Sequence, residues 1–557
     1  MSTPAPAQPA QPAQPAQPAL PARTAGPRRR GPAATTTVVL LALSGCALDA
    51  PAGTTTDDPT TLRLAETGEY DTLNPLEYPL GITSKLYDGL VAVGQDGELE
   101  PGLATEMPVP DDDLTTWTVT LREGVTFSDG SAFDADDVVA AYDAVRDPAQ
   151  GSWMSADYAM IEEVVATGPA TVRFELAYPY AGLPARLTLG IPASEALGAT
   201  VVDSPLADEP VGTGPYVLAE WRRGESLTLE AREDWWGGAP EVTTIHLAFV
   251  ADENARAQRV RSGDVDGAQL SPRTATELDG VAGLELVTNP SGDFRAISLP
   301  QTLPFFADPD VRTALNLATD RQAMVDGILA GHGEAIATPF TPAQGDAYEQ
   351  TATFEHDPDA AAALLDEAGW TLGADGTRAK DGVPFAFTVM YFAEDTLRRD
   401  VAQAFASDLA GLGIDVSLEG VDRPYAVTAM DQKAFVLGGG DMPYDPDAQV
   451  YRQLHSDYAV FDTDDAYSNP SGYADDEVDR LLEEARREPD ADARAATYRL
   501  LQERLVENPP LVTVFALEHT YVARGLDAWD GVGHVLEPHE HGVAWGPWFD
   551  VQHWTRR

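Results

Sequence analysis

The 557-residue chain carries 36 basic against 90 acidic residues, a formal charge of −54, with an ordinary apolar share of 43%. This length exceeds what one compact core serves and predicts about two to four domains. The charge excludes nucleic acid as a partner, since phosphate binding needs a basic face, and a single cysteine, Cys46, excludes an internal disulfide. A strongly acidic surface suits a solvated protein outside the cell or at high salt.

Residues 2–22 repeat Pro, Ala and Gln and cannot build a core. Arg28-Arg29-Arg30, then an apolar run from Thr37 to Leu43, then small residues follow the order of a secretory signal. The run is far shorter than the ~18 residues of a membrane-spanning helix. Leu43-Ser44-Gly45-Cys46 resembles a bacterial lipobox, which implies cleavage before Cys46 and lipidation of its thiol. Residues 1–45 are thus expected to be a disordered Pro/Ala-rich tail plus a lipoprotein signal peptide. Residues 46–59 are expected to form a flexible tether.

The fold starts with an alternating strand at Thr60–Ala65, and Trp117–Leu121 reads as a half-buried strand. Arg122-Glu123-Gly124 turns the chain, and Val125-Thr126-Phe127 is expected to pair back. Asp134 is placed to cap a helix through Val138 and Val139. Asp357-Pro358 opens an Ala-rich helix that ends at Gly369. Phe385–Tyr391, the helical face Leu397, Val401, Phe405, Leu409 and Leu412, and Ile414–Leu418 spell strand, helix, strand, and predict a βαβ unit. Helices follow around Val478–Ala485 and about 491–508. Pro509-Pro510 then stops the chain before the apolar run Leu511–Phe515.

Leu121-Arg122-Glu123-Gly124-Val125-Thr126-Phe127-Ser128-Asp129-Gly130 with Phe133–Val138 resembles the signature of the family 5 extracellular solute-binding proteins, the peptide- and nickel-type receptors of bacterial ABC importers. Pro210-Val211-Gly212-Thr213-Gly214-Pro215-Tyr216, Trp235-Trp236-Gly237-Gly238-Ala239-Pro240, Ser262-Gly263-Asp264-Val265-Asp266 and Val311–Arg321 are similar to further blocks of that family. The resemblance covers about residues 60–550. It implies an α/β, two-lobe periplasmic-binding-protein-like fold (class II, cluster C type) with an extra subdomain inserted in lobe one. Lobe one is expected over 60–285 with the insert at about 90–205, lobe two over 286–507, and a return to lobe one over 508–557. Chain crossings are expected near 284–292 and 505–513. A ligand would lie in the interlobe cleft, buried by closure.

The segment Gly438-Gly439-Gly440-Asp441-Met442-Pro443-Tyr444-Asp445-Pro446-Asp447 is the expected ligand loop. Its glycines allow close approach and positive φ, and it presents acids and a phenol with no base of its own before Arg452. In the dipeptide-type receptors an Asp of a Gly-Asp pair ahead of Asp-Pro-Asp holds the peptide amine. By that resemblance Gly440 and Asp441 form the anchor, beside backbone that extends a strand-like peptide. The nickel type shows Pro-Tyr-Asp-Pro and then His-Ala-Asp-Tyr. Pro443-Tyr444-Asp445-Pro446 and His455-Ser456-Asp457-Tyr458 match it, making Tyr444 and His455 candidate contacts to a metal chelate, with Trp153 as an aromatic wall. Gln150 stands where that subgroup has a carboxylate-gripping arginine, and a second such arginine falls in an expected deletion near Leu183–Ile191. His534, His539 and His541 form a weaker candidate metal patch, read mainly as a solvated C-terminal segment.

Nucleophile-elbow, zincin, Ser-x-x-Lys and P-loop motifs are absent from the sequence, so a secreted hydrolase is the remote alternative. The expected protein is no enzyme and has no resident cofactor; a nickel chelate would be cargo. It is expected as a monomer on the extracytoplasmic face of the membrane (cell surface or periplasm), anchored through Cys46. There it would bind a small peptide, or alternatively a metal chelate, and deliver it to the ABC permease's transmembrane subunits.

Overall fold

The computed structural model describes residues 59–78, 81–95, 97–440, 444–461, 467–539 and 542–557. The expected signal peptide, Cys46, the tether up to residue 58, Asp441 and His541 lie outside the described residues.

An eleven-stranded sheet runs through the molecule. Its strands are β1 (Thr61–Glu66), β2 (Tyr216–Arg222), β3 (Ser226–Ala231), β4 (Thr244–Phe249), β5 (Gly267–Gln269), β6 (Glu285–Ser298), β7 (Gly333–Ala335), β8 (Ala386–Phe392), β9 (Asp415–Val421), β10 (Ala434–Gly439) and β11 (Leu511–Ala523). The spatial order is β9-β8-β10-β6-β11-β5-β1-β4-β3-β2, with β7 also on β11. β6 and β11 join the two halves. They pair antiparallel from Glu285 opposite Ala523 to Ser298 opposite Leu511. Nearly every residue of β11 is buried, as the apolar run beginning at Leu511 requires. The ladder is irregular between Pro290 and Phe294, where Pro290 has no N–H to give and Gly292 donates to the Glu537 carbonyl instead.

One end of the sheet, β1–β5, packs on Trp548 and Trp554 around Leu64, Leu227 and Leu247. The other end buries Val389, Val401, Phe405, Phe306 and Val514. There the expected βαβ unit is present: β8 and β9 run parallel, linked by a helix at Thr396–Ala410 whose buried face is Val401, Phe405 and Leu409.

A separate four-stranded sheet, ordered Val109–Pro110, Thr116–Thr120, Thr171–Leu176, Ile161–Gly168, has its own core with the helix α1 (Ala135–Arg146). Asp134 caps α1 in a reciprocal box with Asp137. Val125–Phe127 does not pair back on the Trp117 strand. Only Thr126 and Ala132 form a bridge, because Thr116–Thr120 is already flanked by Val109–Pro110 and Thr171–Leu176. Among the described residues, no helix is long and apolar enough to cross a membrane.

Candidate functional site: a cleft with an arginine-rich lining

A cleft of about 1560 Å³ draws its walls from all three regions. Gly438, Gly439 and Gly440, at the end of β10, line it together with Tyr444, Gln453, Arg423 and Arg452. Trp153, Asp157 and Arg186 come from the insert, and Lys85, Asp88, Trp236 and Phe549 from the opposite side.

The glycines are there for space. Gly440 has φ +111°, and a Cβ at that position would run into the Gly292 carbonyl, so the loop lies directly on the irregular stretch of β6. Gly439 is pressed against the Phe294 ring. β10 pairs with β6 through Gly439 on one side, but with β8 only at Ala434 and Phe435. Beyond Phe435 that edge has no strand neighbour among the described residues.

Tyr444 lines the cleft, and its hydroxyl is buried with no hydrogen-bond partner among the described residues; burial pushes the phenol's pKa up. Gln453 is 6% exposed, and its side-chain carbonyl oxygen also lacks a partner among the described residues. Such atoms are costly unless something fills the site. Trp153 stands 56% exposed at the cleft, with its indole N–H donating 2.5 Å to the Glu77 carbonyl.

The acids that follow Tyr444 are not a free acidic surface. Asp445 caps α2 (Pro446–Leu454), accepting from the Asp447 N–H at 2.9 Å. It also receives both Nη groups of Arg494, at 2.5 and 2.9 Å. Asp447 is also held bidentately, by Arg486 through Nε and Nη2, at 3.0 and 2.9 Å. The loop has no bases of its own, but α3 (Asp476–Arg487) and α4 (Ala491–Glu507) bring them.

His455 lies elsewhere. It is 6% exposed, stacks on Tyr451 at 4.7 Å, and accepts from the Asp457 N–H at 3.2 Å through Nδ1. It is not part of the cleft lining. The position just after α2 turns the imidazole onto its own helix. Among the described residues, no group of three or more His, Cys, Asp or Glu is arranged to hold a metal ion.

His539 is no solvated tail. Its backbone N–H donates to the Gly440 carbonyl at 2.9 Å, and its Nδ1 lies 2.6 Å from Asp293. His534 Nδ1 lies 3.0 Å from the Thr288 carbonyl. Beneath the cleft, Asp293 is fully buried and also pairs with Arg295 and His519. Burial alone would raise the Asp293 carboxyl, but Arg295, His539 and His519 overcome it and hold its pKa well below the usual range. Burial likewise opposes charge on His519, yet its bonds to Asp293 and Glu537 lift it to about 9. Glu537 accepts from Tyr521 and from Asn289 as well. This buried network clamps residues 534–539 across β6 and β11.

Sequence reading missed most of the cations. Arg186 falls in the stretch expected as a deletion, is 7% exposed, and lies 4.0 Å from Asp157, which Arg452 also approaches at 3.4 Å. Arg122 donates 2.6 Å to the Gly102 carbonyl and lies over Trp236, whose N–H bonds Asp88 at 2.7 Å. Arg122 and Trp236 sit inside the family blocks named above, so a signal existed; for Arg186 the signal was the second arginine expected at Leu183–Ile191 but read as deleted, and for Arg423 there was none. Lys85 is buried beside the Phe549 carbonyl, and burial lowers it to about 8 against the pull of Asp550.

Comparison with known proteins agrees with this architecture. The profile of the bacterial extracellular solute-binding proteins, family 5 (middle), matches residues 98–460. Protein XP55 of Streptomyces lividans is 39% identical over 507 residues, 90% of this chain and 92% of that one. The oligopeptide-binding protein AppA of Bacillus subtilis is 26% identical over 458 residues, 78% of this chain and 81% of that one. The structure of NikZ from Campylobacter jejuni in complex with Ni(L-His) superposes with a TM-score of 0.77 at 23% identity, covering 89% of this chain and 99% of the other. The chain belongs to the family 5 bacterial extracellular solute-binding proteins, binding proteins of peptide- and nickel-type ABC importers rather than enzymes.

Proposed function

We propose that this protein captures short peptides in the cleft and delivers them to an ABC permease, held at the extracytoplasmic face of the membrane by a lipid on Cys46. The carrying observation is the edge of β10 beyond Phe435, which has no strand neighbour among the described residues, beside two buried groups that have no hydrogen-bond partner among those residues, the Tyr444 hydroxyl and the Gln453 side-chain carbonyl. An extended peptide supplies alternating N–H and C=O groups that suit such an edge. The cleft, at about 1560 Å³, exceeds the roughly 300–1,000 Å³ of an ordinary small-molecule site, which favours an oligopeptide over a small chelate. The curated relative AppA carries the name oligopeptide-binding. Asp441 next to Gly440 serves as the amine anchor in this reading. Lobe one spans 60–285 with its insert, lobe two 286–507, and the chain returns over 508–557; the protein works as a monomer.

The second reading, a nickel or other metal chelate as cargo, draws on Trp153 and Tyr444 in the cleft and on the likeness to NikZ. Its contact at His455 is withdrawn, because that imidazole is stacked on Tyr451.

Mass spectrometry of the ligand that co-purifies with the protein tests both readings. A peptide that raises the melting temperature and is recovered chemically intact supports the first. Stabilisation by nickel–histidine and by no tri- to pentapeptide overturns it. Asp441→Ala is expected to weaken peptide binding strongly, since a buried amine would lose its partner; unchanged affinity removes Asp441 from the site. For the anchor, metabolic labelling with palmitate should mark the wild-type protein and not Cys46→Ala.

A further inference from the structure

Two separately packed parts of the molecule meet outside the cleft. The four-stranded sheet has one core, which includes Phe174, Tyr180 and Leu183. The helices α2, α3 and α4 share another, built on Val450, Leu454, Leu481, Leu482 and Leu501. Polar and aromatic groups join the two. The Ala181 N–H donates to the Arg486 carbonyl at 2.9 Å. The Arg486 guanidinium carbon lies 5.3 Å from the Tyr178 ring centroid and 5.5 Å from that of Tyr180. On its own side it lies 3.2 Å from the centroid of Tyr451. Gly182 is so close to the ligand loop that a Cβ there would stand 3.1 Å from the Asp445 carboxyl carbon. Tyr178, Tyr180, Arg486 and Asp447 are not part of the cleft lining.

Arg486 also grips Asp447 through Nε and Nη2. The Asp447 N–H bonds the Asp445 carboxylate, and Asp445 directly follows Tyr444, which lines the cleft. One guanidinium therefore meets aromatic rings from across the contact while its edge fixes the start of α2. A planar cation can do both at once, because its faces attract rings while its edge donates to a carboxylate. Polar contacts between separately packed parts of one chain come apart readily. When these parts separate, Arg486 keeps Asp447 but loses Tyr178, Tyr180 and the Ala181 N–H.

We infer that Arg486 is a positioning residue that couples the docking of residues 178–182 to the placement of Tyr444. The contact is a latch that slows the release of cargo without touching it. It rests on the cleft being the cargo site and holds for a peptide or a chelate alike.

Stopped-flow binding and spin-label distances test the latch on the full chain carrying Cys46→Ala, with trialanine and nickel–histidine as the probes. Labels go on Val109→Cys in the four-stranded sheet and Leu500→Cys on α4, both exposed positions. Tyr178 is half-buried, so Tyr178→Ala is expected to fold. For whichever probe binds the parent, Tyr178→Ala should release it at least about fivefold faster with association unchanged. The same variant should deplete the short label distance. Tyr178→Phe keeps the ring and should restore the parent's release rate, a rescue that a loss of packing alone would not predict for release. Arg486→Lys, which keeps a charge for Asp447 but no planar face, should release as fast as Tyr178→Ala. A release rate of Tyr178→Ala indistinguishable from the parent's overturns the latch, whatever its melting temperature. If neither probe binds the parent, the choice of cargo has failed, and the label distances without ligand decide. A short-distance population that Tyr178→Ala removes and Tyr178→Phe keeps supports the latch, and coinciding distributions end it.

Discussion

Replacing Asp445 by Asn tests whether the ligand loop is held by a buried ion pair. Asn is as good a helix N-cap as Asp, so the bond to the Asp447 N–H survives and only the charge is lost. Arg494 then keeps its bonds to the Ala485 carbonyl and the Tyr498 hydroxyl, but no longer faces a carboxylate bound at 2.5 and 2.9 Å. The side chains of the pair are only 14% and 8% exposed, so solvent compensates little. Breaking such a pair from one side costs about 3–5 kcal/mol, and the remaining bonds of Arg494 place the expectation near the lower end, about 3 kcal/mol. Removing both charges, as Asp445→Asn with Arg494→Met, should restore stability to within about 1 kcal/mol of the parent, since the cost lies in the orphaned charge. Urea denaturation of the four members of this cycle measures both numbers. A single variant within about 1 kcal/mol of the parent, or a double variant no better than Asp445→Asn alone, would refute the reasoning.

Tyr444→Phe should leave the free protein as stable or up to about 1 kcal/mol more stable, because it removes a buried hydroxyl without a partner, while weakening ligand binding; a loss of stability in thermal melts would show that the hydroxyl already has a partner. Gly440→Ala should destabilise by about 1–3 kcal/mol from φ +111° alone, with more from the contact with Gly292, and an unchanged melting temperature would contradict that. His519 has its pKa raised from 6.5 to about 9 in the folded chain, so its contribution is complete below pH 6.5 and disappears as pH rises through 9. That contribution is on the order of 3 kcal/mol. Stability measured from pH 6.5 to 8 should decline, and His519→Gln should flatten the decline. Lys85, lowered to about 8, acts in the opposite direction only above that pH.

Helix caps were legible in the sequence because they are local. Asp134 and Asp357 receive N–H groups two or three residues ahead, and each stands just before an apolar periodic run. The βαβ unit was legible for the same reason, since its periods of 2 and 3.6 are written in consecutive residues. The glycine triplet announced a close approach, and Gly440 makes one. The sequence did not say what it approaches: Gly292 lies 148 residues earlier in the numbering. His455 shows the opposite failure. Its motif suggested a ligand contact, but a ring plane's orientation depends on what packs around it, and here that is Tyr451.

From its sequence alone this protein has its α/β class, its membership of a family of two-lobed receptors, and a loop built for tight approach. Those rest on backbone preference, periodicity and ordered motifs, which act between near neighbours. The tertiary structure decided which charges face the cleft and which are spent inside. Asp445 meets Arg494 across 49 residues and Asp293 meets His519 across 226, and among 126 charged side chains no local rule selects such partners. The strength of a charge depends on burial and on the distance to its counter-charge, and both exist only once distant segments have come together.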